Sequence, residues 1–383
     1  MVSNKLLTHK SYIMKKVLFF ATCAIALLAG CQKTEINYDG EPQEIAFFAV
    51  NKTATKAPVT GTAFKDSDEI RVSAYLTATD ANNAGNVGPY FENILFKKSE
   101  ETSTTNWVGG QYWPLSTASM NFVSVTEKGG ECSLGESKVS WTDSKFTVVL
   151  DNNVATPTGD ATTPAETWNQ TDLMYAVGSA TNSVAADSTP GVVAMTFNHA
   201  LAWVNFAFKT NVKDVITINS VDLYAGYNGT LTVTPSNYKV QQTADVTDAQ
   251  KLGVVTSWTV EQYFSKKVSK NHASVADALS WTSVPTDYTA YGNGLLVVPT
   301  DATLPTGVTS LTPYFVINYT ITQSKSDGTT VGTNYTYKHN LTGADWDAGK
   351  KYTYNINMTL HQIEVSPTIT EWVSQTATEV PLG

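Results

Sequence analysis

The chain has 383 residues, with 25 basic and 34 acidic side chains, a formal net charge of −9 and three cysteines. An acidic balance excludes the basic face that phosphate binding needs, so no nucleic-acid partner is expected. Two of the cysteines, Cys23 and Cys31, fall near the start, which leaves Cys132 alone and excludes an intramolecular disulfide or a cysteine metal cluster in the remainder.

In chain order, the first element is an export signal. Met14 is the expected start, followed by the basic pair Lys15-Lys16, an apolar run from Val17 to Leu28, and the small residues Ala29-Gly30 before Cys31. The run is too short and wrongly flanked for a membrane span and reads as a secretory signal peptide. Its Leu-Ala-Gly-Cys ending resembles a bacterial lipobox, in which the Cys31 thiol is acylated and the chain is cut before it. Residues 1–30 are therefore the expected signal, and lipid on Cys31 anchors the rest to a membrane. The first 30 residues hold four of the basic side chains and no acidic one, so the remainder carries 21 against 34, a net charge of −13. That balance fits an extracytoplasmic protein.

Residues 31–43 are polar and read as a tether. Beyond them the hydrophobic pattern has period two. "EIAFFAV", "EIRVSAYL", "YFENILF", "MNFVSV", "KFTVVL", "DLMYAV", "VAMTFNHALAWVNFAFK", "ITINSVDLYA", "TLTVTP", "GLLVVP", "YFVINYTI", "TNYTYKHNL" and "YTYNINMTL" are rich in β-branched and aromatic residues. Gly, Pro, Asn, Asp and Ser separate them, and only "VADALSW" hints at a helical turn. About 350 residues after the signal suggest two domains. The expected fold is all-β, with two tandem sandwich domains at 44–211 and 212–383.

The first of these strands has apolar residues on both faces, with Ile45, Phe47 and Ala49 on one side and Ala46, Phe48 and Val50 on the other. That pattern predicts a strand buried on both sides or lying in a groove. The following "NKTATKAPVTG" is polar, with Pro58 and Gly61, and suits an exposed, protease-sensitive loop.

Residues with catalytic spacing are scarce. His199 lies inside an apolar strand and reads as a packed, hydrogen-bonded side chain, while His272, His339 and His361 stand alone. Asp66, Asp68 and Glu69, like Asp345 and Asp347, sit beside turn residues and read as solvated turns. No nucleophile elbow, phosphate loop or zinc-protease motif occurs, so no enzyme, metal or cofactor is expected. Of the tryptophans, Trp113, Trp203 and Trp372 fit strand patterns and read as core. Trp107, Trp168 and Trp346 have polar or glycine neighbours and are the candidates for stacking on a glycan.

Several segments together resemble the fimbrillin family, the type V pilus subunits of Bacteroidales. These are "TKAPVTGTAFKDSDEIRVSAY" from Thr55, "GGQYWPL" from Gly109, "DLMYA" from Asp172, "FNHALAWVNFAF" from Phe197, "WDAGKKYTYNINM" from Trp346 and "IEVSPTITEW" from Ile363. The resemblance implies two transthyretin-like, Greek-key sandwiches and export as an outer-membrane lipoprotein. It also implies that a trypsin-like protease cuts the early loop and removes the first strand, whose groove then takes the C-terminal strand of another subunit. Other pilin subunits are the implied partners, with a ligand on a host or bacterial surface. The family's loop usually carries arginine. Here it carries Lys52 and Lys56, and the single arginine, Arg71, lies in an expected strand. Cleavage is therefore expected between Lys56 and Ala57. The alternative is an uncut surface lipoprotein that binds glycans or anchors a pilus.

A Cys31→Ser precursor should lose all labelling by a fatty-acid analogue and be released or stalled. Labelling at the wild-type level would show that Cys31 does not carry the lipid.

Overall fold

The structure is a computed structural model. It describes residues 43–51, 69–79, 87–98, 106–114, 118–128, 137–151, 157–158, 167–168, 170–182, 192–239, 250–263, 268–271, 284, 287–290, 294–304, 306, 312–359 and 362–371. The helical turn expected near Val275 lies outside these residues.

The fold is all-β. Its strands are β1 (Glu44–Asn51), β2 (Glu69–Thr79), β3 (Gly88–Lys98), β4 (Trp107–Tyr112), β5 (Ala118–Lys128), β6 (Val139–Thr142) and β7 (Lys145–Leu150). The short β8 (Pro157–Thr158) and β9 (Thr167–Trp168) precede β10 (Asp172–Asn182), β11 (Val193–His199), β12 (Ala202–Thr210), β13 (Val215–Tyr224) and β14 (Gly226–Ser236). The chain continues through β15 (Gly253–Tyr263), β16 (Val268–Asn271), β17 (Thr289–Ala290), β18 (Leu295–Val297), β19 (Tyr314–Ser324), β20 (Thr330–Asn340), β21 (Lys350–Met358) and β22 (Ile363–Glu371).

Seven strands close into a barrel in the order β1-β11-β10-β5-β2-β3-β4, with β4 returning to β1. Closure leaves this sheet without a free edge. Phe47, Phe96, Trp107, Phe122, Met195 and Phe197 fill its interior. A second core lies between two sheets. One has the order β17-β12-β21-β22, with β18 also paired to β12, and the other has the order β16-β13-β19-β20. Phe206, Phe208, Ile218, Leu223, Phe315 and Trp346 pack between them.

A further sheet, β15-β14-β7-β6, joins strands from both sides of residue 211, because β14 pairs with β7 from Gly229↔Leu150 to Val233↔Phe146. It packs on the outside of the barrel wall through a third core that includes Val123, Val125, Phe146, Leu231 and Trp258. This explains why β5 is apolar on both faces. Met120 and Phe122 belong to the barrel core, whereas Val123 and Val125 belong to the core outside it.

The run "VAMTFNHALAWVNFAFK" reads as one strand in sequence, but it is two. β11 ends in the barrel at His199, and β12 starts at Ala202 in the other body, parallel to β21. Ala200 and Leu201 make the crossing and are fully buried, so their polar backbone groups need partners. Ala200 donates its N–H to the Leu173 carbonyl at 2.8 Å, and its own carbonyl accepts from Trp258 Nε1 at 2.8 Å. The Leu201 carbonyl accepts from Gly349 N at 2.9 Å.

Gln170 adds a clamp beside this crossing. Its Nε2 donates to the Leu296 carbonyl at 2.8 Å, and the Leu296 N–H donates to its Oε1 at 2.9 Å. A buried side-chain amide thus completes the ladder of a strand it is not part of. Replacing Gln170 with Ala leaves a buried N–H and C=O without these bonds, and stability should fall by about 3 kcal/mol. Urea unfolding should show a lower midpoint at unchanged slope, and an unaltered midpoint would mean that the clamp contributes nothing.

Candidate functional site

The site is β1 and the gap it fills. β1 runs parallel to β11 in five register pairs, from Phe47↔Val193 to Asn51↔Phe197. It runs antiparallel to β4 at Glu44↔Tyr112, Ala46↔Val108 and Phe47↔Trp107, with a bulge between the first two pairs. On its far side β4 pairs with β3 at Lys97↔Val108 and Lys98↔Trp107, and β11 pairs with β10 at Met174↔His199 and Tyr175↔Asn198 and lies alongside it further on, where Gly178 meets Met195.

Alternation along β1 directs Ile45 and Phe47 into the barrel, where both are fully buried. The Phe47 ring meets Phe96 edge-on at 4.9 Å and Phe122 edge-on at 5.2 Å. Trp107 of β4 and Phe197 of β11 approach each other at 6.4 Å, across the gap that β1 occupies. The other face is open, since Phe48 is 39% exposed and Ala46 is half-buried. Burial of β1 is therefore one-sided, unlike the two-sided burial its composition suggests. The strand lies in a groove and forms part of the barrel's outer surface.

Polar contacts fix the N-terminal end of the strand. The Trp113 N–H donates to the Gln43 carbonyl at 2.8 Å, and the Gly110 N–H donates to Glu44 Oε1 at 2.8 Å. Gly110 has φ +67°, which glycine adopts without cost. At Gly109 a Cβ would stand 2.7 Å from the Phe96 ring, so β4 can lie against that ring only without a side chain there.

Cys31, Lys52, Lys56 and Ala57 lie outside the described residues, as do Cys132, Asp66, Asp68, Trp372 and the segment from Val373. What the structure gives is the two ends of the loop carrying Lys56: Asn51 closes β1 and Glu69 opens β2, which is not a sheet neighbour of β1. Arg71 lies inside β2, is 5% exposed and donates from Nη1 to the Asn93 carbonyl at 3.1 Å. A protease has no access to an arginine so placed.

The glycan candidates fare differently. Trp107 and Trp346 are each 1% exposed, so neither can stack on a sugar. Trp107 opens a strand that its glycine neighbours obscured, and Trp346 donates from Nε1 to the Tyr354 hydroxyl at 2.9 Å within the core. Nothing is described of the Trp168 side chain. Asp345 and Asp347, which flank Trp346, are exposed at a turn. His199 is packed, with Nδ1 2.8 Å from Asp172 Oδ2, and serves the crossing between β11 and β12. Among the described residues no group of three or more His, Cys, Asp or Glu side chains could hold a metal ion. No helix among them is long and apolar enough to cross a membrane.

A fimbrial protein from Bacteroides vulgatus is 16% identical, with a TM-score of 0.46 over 79% of this chain and 93% of that one. A candidate cell adhesion protein from Bacteroides uniformis is 17% identical, with a TM-score of 0.41 over 86% of this chain and 99% of that one. The fimbrial anchor protein Mfa2 from Porphyromonas gingivalis is 9% identical, with a TM-score of 0.27 over 88% of this chain and 100% of that one. No curated protein matches the sequence. The fimbrillin-like family model matches residues 55–372, which takes in every described strand from β2 to β22 and leaves out β1. The chain belongs to the fimbrillin-like family.

Proposed function

We propose that the chain is a structural subunit, stalk or tip, of a cell-surface fimbria, assembled by strand exchange. Family membership supports a pilus-related surface protein. The observation that carries the finer reading is the position of β1, which alone closes the barrel between β4 and β11. Residues 52–68 are its only covalent link to the strands that follow, so one cut there leaves it held by non-covalent contacts alone. Loss of β1 uncovers the groove beneath Ile45 and Phe47 and frees the facing edges of β4 and β11. Such a groove takes an extended segment by β-augmentation.

The proposal includes export with a signal at residues 1–30, lipid on Cys31 and an outer-membrane location until cleavage between Lys56 and Ala57. It also includes two transthyretin-like, Greek-key domains divided at 211/212. On that division β12 and the β6–β7 hairpin are paired with strands from the other side of the boundary. The donor is the C-terminal segment of a neighbouring subunit. β22, which leads into that segment, lies at a sheet edge with Pro367 facing Tyr354, and its Ile369 is 61% exposed. Partners are therefore other pilin subunits, the outer membrane through the lipid, and a ligand on a host or bacterial surface.

A second reading rests on the absence of arginine from the loop between β1 and β2. On that reading the chain is never cut and stays at the membrane as an anchor or a glycan-binding lipoprotein. N-terminal sequencing of the surface form separates the two, since a start at Ala57 marks a polymerising subunit and a lipidated Cys31 marks an anchor.

Two predictions follow from the strand-exchange reading. A Lys56→Gln precursor should resist trypsin-like trimming at this loop, read as a mass shift on electrophoresis. A mature start after Arg71 would refute the cleavage assignment. Deletion of Val373–Gly383 should leave thermal melting of the monomer unchanged and abolish polymers after protease treatment. Normal polymers from the truncated chain would exclude the tail as donor, and a collapsed monomer would place it in the subunit's own core.

A further inference from the structure

Beyond β1, the described sheets end in three long edge strands, and they are treated differently. β15 is crossed by the chain near Thr303, whose N–H donates to the Trp258 carbonyl at 2.8 Å. β22 carries Pro367 and Glu364, residues that discourage further pairing. β20, "TVGTNYTYKHN", has no proline, no acidic residue and a single lysine, Lys338. It is also uncovered, with seven consecutive exposed residues from 330 to 336. It forms the outer strand of a regular hairpin, paired with β19 from Tyr314↔Asn340 to Ser324↔Thr330 without a bulge.

Side-chain and turn contacts tie the hairpin's two strands together. At its tip the Lys325 N–H donates to the Thr329 carbonyl at 2.7 Å, and Asp327 Oδ1 accepts from the Thr329 hydroxyl at 2.6 Å and from its N–H at 2.9 Å. Along it, Thr336 Oγ1 donates to Asn318 Oδ1 at 2.9 Å, and the Tyr319 and Tyr335 rings stack at 5.4 Å. A long, regularly paired edge strand of β-branched and aromatic residues is a template for another strand.

We propose that this edge is a docking surface for a second copy of the same chain, which pairs β20 with β20 antiparallel about a two-fold axis at Tyr335. Full overlap of the strand with itself fixes that centre. The resulting partners suit one another. Lys338 falls opposite Gly332, so the only charge meets the residue without a side chain rather than its own copy. Asn334 falls opposite Thr336, Thr333 opposite Tyr337, and Val331 opposite His339. Tyr335, 43% exposed in the single chain, meets Tyr335 of the other copy, and aromatic cross-strand pairs are favourable. The four-stranded sheet β16-β13-β19-β20 becomes one sheet of eight strands across the pair. This contact lies on a different strand and sheet from the β1 groove and does not depend on cleavage.

The test uses the full chain in mild detergent, with sedimentation over a concentration series. The wild type should dimerise reversibly. Tyr335→Lys places like charges directly opposite, as does Tyr335→Glu, and each alone should associate at least about tenfold more weakly. An equimolar mixture of the two should recover dimers to within about threefold of the wild type, because the opposed charges now attract. Each variant also loses the ring stacked on Tyr319, so Tyr335→Ala, which loses the same ring without adding a charge, is the control: it should melt like the charged variants and dimerise more strongly than either. A wild type that stays monomeric throughout, or single variants that dimerise as well as the wild type, would overturn the proposal. Loss of dimers on deleting Val373–Gly383 while Tyr335→Lys has no effect would also overturn it and assign the contact to the tail.

Discussion

The barrel depends on one strand, β1, which alone bridges β4 and β11. It shares five register pairs with β11 and three with β4. Phe47 is then the side chain around which the interior is arranged, wedged edge-on between Phe96 and Phe122. A strand at the end of a sheet can be lost while the rest survives. Loss of a closing strand reopens a barrel, leaves two unpaired edges and exposes an aromatic floor to water. Such a body without β1 has a strong demand for another strand of similar pattern, and this is the physical content of the strand-exchange reading.

The second body offers a contrast. Its central ladders are long, with eight register pairs between β12 and β21 from Trp203↔Lys351 to Thr210↔Met358 and nine between β13 and β19. Among the described residues its two sheets are open, and no strand closes one into a barrel as β1 does. The third sheet, shared by β6–β7 and β14–β15, belongs wholly to neither body and covers the outside of the barrel wall. The parts that join the bodies are thus among the most buried in the chain, whereas the strand proposed to leave is open on one face.

Local pattern made much of this legible. Period two in "EIAFFAV" located β1 and named Ile45 and Phe47 as partners on one face, and both are buried together. Period two cannot say whether the opposite face is covered, and there Phe48 is exposed. The apolar continuity of "FNHALAW" concealed a bend, because a crossing whose backbone groups are satisfied by Leu173, Trp258 and Gly349 needs no glycine or proline to mark it. Trp107 was misread for the converse reason. The two glycines of "WVGGQY" break its strand pattern: Gly109 is there because Phe96 lies where a side chain would be, and Gly110 because its φ is +67°. The parallel pairings β1–β11 and β12–β21 join residues far apart in sequence and leave no local trace. The residues proposed for lipidation and cleavage are read from sequence alone.

The buried crossing at Ala200-Leu201 has a mechanical consequence. Were such subunits joined end to end as proposed, tension would pass from one body to the other through this crossing. Had the two been joined by a solvent-exposed linker, that segment would stretch and swivel first. Here the joint is fastened on three sides by Leu173, Trp258 and Gly349, with the Gln170–Leu296 clamp alongside. A pull between the bodies would load these hydrogen bonds before the crossing could lengthen. In a file of such subunits, assembled as proposed, bending would then fall on the contacts between neighbours rather than on this joint.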